Sequence, residues 1–369
     1  MNLQEIQSNP ELLTPETMPA AVHAVLTEYM DSRAADVAAI GSPVVEAVEY
    51  LRSFVLDGGK RVRPMYGWAG FVGAGGLDGE EDPLAVLRAV SSLEFIQACA
   101  LIHDDIIDVS DTRRGNPTVY RAVEKHHSAA GWLGDSEHFG ISAAILIGDL
   151  ALVWAEDMLH DAGLSPEAYS RAWAPWRAMR TEVIGGQLLD ISLEAAGSED
   201  IALANAVNRF KTAAYTIERP LHIGAAIADA SQETIDAFRG YGHDIGIAYQ
   251  LRDDQLGVFG DPSVTGKPAG DDLREGKRTE LLATALPLVE ASAPEDAQLL
   301  RSHVGRTQDT DTIARMTAII EASGAVAKIE ERIDALFASG VAHLERGGIK
   351  PEVIASLSQL AHAATQRRA

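Results

Sequence analysis

Apolar residues recur at intervals of three and four in almost every stretch between Gly and Pro punctuation, and no convincing series of alternating strand residues intervenes. A chain patterned this way buries its apolar stripes helix against helix, so the fold class read from it is all-α. Helices are expected over 19–40 and 43–57, and from Arg63 after the break at Gly58-Gly59. From Pro83 the run AVLRAVSSLEFIQACALIHDDIID reads as a long buried helix ending in carboxylates. Further helices are expected over 141–163, 166–196, 201–230 with a kink at Pro220, and 232–258, then shorter amphipathic ones from Leu273. The segments VSDTRRGNP, HHSAAGWLGDSEHFG and FGDPSVTGKPAGDD read as loops. Without repeats, low-complexity tracts or a linker, residues 1–369 read as one domain whose first 18 residues form an irregular extension.

Acidic residues number 54 against 31 basic ones, a formal charge of −23. That mean field repels phosphate, which excludes a general nucleic-acid or anionic-lipid binder; any phosphate ligand needs a local basic cluster or divalent cations. The single cysteine, Cys99, excludes an intrachain disulfide framework and a cysteine-based zinc cluster, and suits a reducing compartment, cytoplasmic by default. No basic-then-apolar leader opens the sequence. The longest apolar stretch, about 141–155, contains Gly148 and Asp149 and falls short of the ~20 residues a span needs, so no membrane span is expected.

Within this acidic chain, His103-Asp104-Asp105-Ile106-Ile107-Asp108 sets Asp104 and Asp108 at i and i+4, on one helix face with Cβ atoms roughly 5–6 Å apart. Facing like charges at the end of an apolar helix are costly unless cations neutralise them. Mg²⁺ suits such a place, because it binds through one or two carboxylates and completes its shell with water and phosphate. A lone acidic pair is more often a solvated helix end; a second pair, Asp253-Asp254, closing another apolar helical run, shifts the balance. Arg113-Arg114-Gly115 follows the first pair, and Gly266-Lys267 and Gly276-Lys277 follow the second. Gly58-Gly59-Lys60-Arg61-Val62-Arg63 lies at a helix start, and all these side chains suit diphosphate oxygens.

Taken in order, GGKRVRP, EFIQACALIHDDIID, DTRRGNPT, GGQLLD, FKTAAYT and YQLRDDQLGVFGDPSVTGKPAGDDLREGKRT resemble the motifs of the trans-isoprenyl diphosphate synthases. This is the polyprenyl synthetase family of head-to-tail prenyltransferases, and the chain is most similar to its geranylgeranyl diphosphate synthases. The resemblance runs from about Val44 to the C-terminal helices. It implies a helical bundle around a deep central cavity, in a homodimer, acting on isopentenyl diphosphate and an allylic diphosphate. By the same resemblance, Asp104, Asp108 and Asp253 hold three Mg²⁺ ions, for which Mn²⁺ is a candidate substitute, supported by Asp105 and Asp254. Arg113, Lys211 and Lys267 grip the allylic diphosphate, with Lys277 among the substrate-binding cations. Lys60, Arg63 and Arg114 hold isopentenyl diphosphate, with Gln97 where many relatives have histidine. Thr212 and Gln250 steady the allylic cation. The implied reaction is ionisation, attack by the isopentenyl double bond, and loss of a proton to the released diphosphate, without a protein nucleophile.

Two places depart from relatives. Gly257 occupies the fifth position of the second acidic motif, where relatives often carry aspartate, and weaker metal binding, altered preference and a tight turn all stand as readings. The loop around 132–139 has no reading. Cys99 and Ala100, one turn before Asp104, are small where farnesyl-forming relatives carry aromatics. That implies a cavity deeper than a C15 chain, stopped by Phe95 or by the facing helix, and a C20 or longer product; ordinary helix packing explains the same residues equally well. Gln187, Asp190 and Asp149 fit either polar helix stripes or groups near the diphosphate. His126 and His127 are expected to face solvent, and Cys99 to be an inert buried thiol. A class I terpene cyclase and a catalytically silent subunit are the alternatives.

Overall fold

The computed structural model describes residues 3–261 and 269–365. It is built from helices, as the periodicity requires. These are α1 (Leu3–Ser8), α2 (Met18–Ile40), α3 (Ser42–Leu56), α4 (Val62–Gly73), α5 (Pro83–Ser91), α6 (Leu93–Ile107), α7 (Val119–Ala130), α8 (Ser136–His160) and α9 (Pro166–Ala196). They continue with α10 (Ile201–Val207), α11 (Arg219–Ile227), α12 (Gln232–Phe259), α13 (Asp271–Glu275), α14 (Glu280–Ser292), α15 (Pro294–His303), α16 (Thr310–Ala322), α17 (Ala325–Arg346) and α18 (Pro351–Thr365). Several starts are fixed by the residue in front of them: Asp82, Asp135, Asp200, Ser231, Thr279 and Asp309 each accept a backbone N–H of the following turn. Each such cap contributes about 1 kcal/mol.

The chain clusters into two compact units, Met1–Trp173 with Ile223–Ala230, and Ala174–His222 with Ser231–Ala369. In the first, α6 buries Leu93, Phe95, Ile96, Ala98, Cys99 and Ile102 and packs along α8. The expected interruption of the apolar stretch at Gly148-Asp149 is absent: α8 runs 25 residues straight through it. A glycine costs a helix interior only about 1 kcal/mol, and here it makes a notch. A Cβ on Gly148 would lie 2.3 Å from Nε2 of His103, whose ring sits against α8 with Nε2 3.1 Å from Ile145 O. The length argument against a span therefore fails. The 83–107 run and α8 are both long and apolar enough to cross a membrane, with 72% and 39% of their most apolar windows buried.

Other departures are local. The segment read as a surface loop is mostly helix, since α7 ends at Ala130 and α8 begins at Ser136. His127, expected in solvent, is buried; its Nε2–H donates to Leu133 O at 3.1 Å, and its ring packs on Phe139 and Trp132. The N-terminal stretch read as irregular carries α1, with Ile6 fully buried. Among the described residues the strands are a two-residue pair, β1 (Thr112–Arg113) and β2 (Asn116–Pro117).

In the second unit, α12 is the axis. Leu251 and Val258 join Leu281, Leu286, Leu300, Ile313, Met316 and Ile320 in one apolar core. The expected helix over 201–230 changes register instead of kinking at its proline: an 11-residue π-helical stretch, Asn208–Glu218, separates α10 from α11. It closes where the Arg219 N–H donates to Ala214 O, five residues back. Pro220, which has no N–H to give and whose ring crowds the carbonyl four residues earlier, sits where the α register resumes. Gly242 and Gly246 of α12 bring that helix to backbone contact with the stretch, for Cβ atoms there would lie 2.4 Å from Glu218 Cα and 2.5 Å from Ala213 Cα.

Candidate active site

The first acidic cluster stands at the end of α6. Asp105 is buried at 1% exposure and receives the Arg113 fork, Nε at 2.8 Å and Nη2 at 2.7 Å from its Oδ1. Arg113 Nη2 also lies 3.6 Å from Asp104 Oδ2. Burial works against the Arg113 charge, yet the Asp105 hydrogen bond and the Asp105, Asp104 and Asp108 charges hold its pKa above the usual guanidinium value. Directly after Asp108 the backbone turns at Val109, φ +53°, with the Ser110 N–H donating to Asp105 O at 2.9 Å. Glycine usually takes that left-handed position, and a β-branched residue there is strained by roughly 1–2 kcal/mol.

The hairpin then separates two arginines. Arg114 and Gly115 both have positive φ, +52° and +79°, between the paired residues Arg113 and Asn116, the pattern of a type I′ turn. Arg113 meets the α6 carboxylates, while Arg114 reaches the loop before α4: a Cβ on Gly59 would lie 3.6 Å from Arg114 Nη1. Arg61, Glu94, Gln97 and Arg114 line one pocket with Phe54, Val55 and Ala98. Arg61 Nη1 donates to Glu94 Oε2 at 2.6 Å, both side chains almost fully buried, and Glu94 Oε1 meets no hydrogen-bond partner among the described residues. Burial first, then the like charge of Arg113, with Arg61 and Arg63 adding to it, pushes the Arg114 pKa below its usual value against the pull of Glu94. Desolvated cations in surplus make an anion site. Arg63 is half-buried and Lys60 is exposed at the end of the glycine loop.

Along α6 back from Asp104 the side chains are first small, then bulky. At 1.5 Å rise per residue, Cys99 and Phe95 lie about 7.5 and about 13.5 Å along the axis. Ala100 is partly exposed beside the buried Cys99. Phe95 is fully buried in a three-ring cluster, its centroid 5.5 Å from Tyr29 of α2 and 6.1 Å from Trp154 of α8. Burial, helped by the Asp149 charge, pushes the Cys99 thiol up to about 12, so it stays protonated and unreactive at neutral pH.

The second cluster is assembled by close helix crossings. A Cβ on Gly186 of α9 would lie 2.3 Å from the Lys211 backbone nitrogen. That contact lets Asp190, one turn later, take Lys211 Nζ at 2.5 Å. Thr212 Oγ1 donates to Gln250 Oε1 at 2.7 Å, and Gln250 Nε2 donates to Asp254 Oδ1 at 2.7 Å. Asp254 is 4% exposed, and its Oδ2 meets no partner among the described residues. Burial, then the charge of Asp272, pushes its pKa well above the usual carboxylate range. Asp253, next to it, is exposed. Lys277 Nζ lies 2.7 Å from Glu275 Oε2 and 3.3 Å from Asp272 Oδ1; Lys267 lies outside the described residues.

Among the described residues no three His, Cys, Asp or Glu side chains gather tightly enough to cage a metal ion. Magnesium does not need a cage; it takes one or two carboxylates and keeps its waters. The hard oxygens of both clusters and the unserved Asp254 Oδ2 fit it. Sequence reasoning missed the Arg61–Glu94 pair and Asp272. Arg61 lay inside a basic knot whose members looked alike, and nothing local marks Asp272 as a neighbour of α12.

The polyprenyl synthetase model matches residues 45–322. Over 278 residues the chain is 34% identical to the geranylfarnesyl diphosphate synthase of Aeropyrum pernix, covering 74% of this chain and 79% of that one. Over 305 residues it is 31% identical to the geranylgeranyl diphosphate synthase of Mycobacterium tuberculosis, with coverages of 82% and 79%. The structure is similar, at TM-score 0.94 and 58% identity over 96% of this chain and 100% of the other, to the geranylgeranyl pyrophosphate synthase from Corynebacterium glutamicum complexed with isoprenyl diphosphate and magnesium. The ordered acidic and basic motifs, the helical fold that carries them and these matches together make the chain a member of the polyprenyl synthetase family, a trans-prenyl diphosphate synthase that condenses prenyl chains.

Proposed function

We propose that the protein joins isopentenyl diphosphate to dimethylallyl, geranyl or farnesyl diphosphate with the help of Mg²⁺, which Mn²⁺ replaces, and releases the C20 product geranylgeranyl diphosphate. The observation that carries the product length is the α6 wall. Small residues at Cys99 and Ala100 leave room past the depth at which an aromatic would stop a C15 chain, and the Phe95–Tyr29–Trp154 cluster closes the floor about one turn beyond Cys99. The same two small residues fit a C25 product less well, because the floor is three packed rings and not one.

In this reading Asp104, Asp108 and Asp253 hold three magnesium ions, with Asp105 and Asp254 behind them. Bound there, magnesium neutralises the diphosphate as its bond to carbon breaks. Arg113, steadied by Asp105, and Lys211, steadied by Asp190, present donors to that diphosphate, joined by Lys267 and Lys277. Thr212 and Gln250, tied to each other, offer oxygen dipoles to the allylic cation. Lys60, Arg63, Gln97 and Arg114 receive isopentenyl diphosphate, whose charge answers the positive surplus around the pocket that Gln97 and Arg114 line. The proton lost from the condensed product passes to the released diphosphate, so the chain supplies no base. Phe139, Leu146 and Val153 recur every seven residues on the exposed side of α8, a stripe suited to a second copy of the chain, and we read the enzyme as a cytoplasmic homodimer.

Purified protein incubated with Mg²⁺, isopentenyl diphosphate and each allylic primer in turn tests this by product mass. C20 from all three primers is expected. A C15 or C25 end product refutes the floor, a cyclised hydrocarbon made without isopentenyl diphosphate identifies a terpene cyclase, and no product at all identifies a silent subunit.

A further inference from the structure

Gly257 follows Asp254 by three residues and Asp253 by four on α12, so a side chain there would stand on the face those two occupy. That place is filled from elsewhere. A Cβ built on Gly257 would fall 2.0 Å from Oδ2 of Asp272 and 2.3 Å from its Cγ, so the Asp272 carboxylate, brought in by α13, rests on the bare Cα. Asp272 is 8% exposed and Asp254 4%, and Asp254 Oδ2 meets no hydrogen-bond partner among the described residues. Gln250 serves only the other oxygen of Asp254, while Lys277 reaches Asp272 and Glu275. Two neighbouring buried carboxylates repel each other; Lys277 offsets part of that charge from the Asp272 side, and Asp254 Oδ2 is left for a further cation.

We infer that Asp272 supplies the carboxylate that the second acidic motif lacks at Gly257, and that position 257 is kept without a side chain so that Asp272 can occupy its place. The inference rests on the proposed role of Asp253 in holding Mg²⁺ and adds a residue outside the motif to it. Gly257 is then a transposed position and not a lost one. Restoring aspartate there drives a second carboxylate into the space Asp272 fills, and the alanine methyl alone already collides.

Full-length protein titrated with Mg²⁺ in the presence of inorganic pyrophosphate, with melting temperature as the signal, tests this without turnover. Relative to wild type, D272N should raise the Mg²⁺ midpoint by about tenfold. Its metal-free melting temperature should be unchanged or higher, because a buried like charge has gone; a structural carboxylate would instead lower that temperature and leave the midpoint alone, which overturns the inference. G257D should also raise the midpoint, and G257D/D272A should recover most of the loss. A wild-type midpoint in D272N beside a shifted one in D253N overturns this inference alone, whereas wild-type midpoints in both overturn the reading beneath it. Should D272N fail to fold, G257D decides: a midpoint at or below wild type, or a raised one that D272A does not repair, overturns the transposition, and a raised one that D272A repairs upholds it.

Discussion

Gly246→Ala tests whether the glycine seam of α12 sets the site. The added methyl would sit 2.5 Å from both Cα and Cβ of Ala213, where carbon atoms pack comfortably at about 3.5–4.0 Å. Relief requires α12 and the π-helical stretch to part by about 1 Å. Thr212 Oγ1 and Gln250 Oε1, now 2.7 Å apart, belong to the two segments being separated. A shift of about 1 Å takes them beyond hydrogen-bond distance. Overpacking of this kind costs about 1–3 kcal/mol, and the lost hydrogen bond about 1 more. Urea unfolding should therefore show a loss of about 2–4 kcal/mol. Steady-state kinetics should show a fall in kcat with the KM for isopentenyl diphosphate unchanged, because Arg61, Gln97 and Arg114 lie outside both α12 and the π-helical stretch. Wild-type stability would refute the seam. Lost stability with an unaltered kcat per folded molecule would show that the seam holds the fold and does not position Thr212 and Gln250.

Cys99→Phe places a ring about one turn short of the Phe95 cluster and should shift the product from C20 to C15, read by product mass; an unchanged product removes α6 from the cavity wall. Val109→Gly relieves a positive φ and should raise stability by about 1 kcal/mol by chemical denaturation, with turnover kept; a loss would mean the Val109 side chain contributes more than its backbone costs. Burial first, then the Arg219 charge, lowers the pKa of His222 to about 4, so the folded protein keeps it neutral where the unfolded chain, near 6.5, takes up a proton. The unfolded state then binds more protons between those values, and stability present above pH 6.5 should fall as the pH drops to 4, by about 3 kcal/mol in all. His222→Gln should flatten that slope in urea midpoints taken at pH 7, 5.5 and 4.5; an unchanged slope would place the acid sensitivity elsewhere.

The helices were legible because burial imposes a period on the sequence, and α6 was legible to its last turn because an apolar run ends in Asp104, Asp105 and Asp108. The opposite directions taken by Arg113 and Arg114 were not legible in the residues themselves, although the resemblance assigned the two to different diphosphates. They depend on two positive φ values in a turn whose first central residue is arginine instead of the usual asparagine or glycine. Pro220 marked an irregularity, but the π-helical register lies ahead of it, and no residue type announces a wider turn. His127 looked exposed in a polar string, yet Trp132 and Phe139 fold over it. Gly257 read as a gap in a motif because its neighbour Asp272 comes from a separate helix, and only the folded chain brings the two together.

The most direct test is a crystal structure with Mg²⁺ and an unreactive thio analogue of farnesyl diphosphate. The account predicts metal ions bound by Asp104, Asp108 and Asp253 to one diphosphate, with the farnesyl tail passing Cys99 and Ala100 toward Phe95. A diphosphate held by arginine and lysine alone, with those three aspartates free of metal, would contradict it.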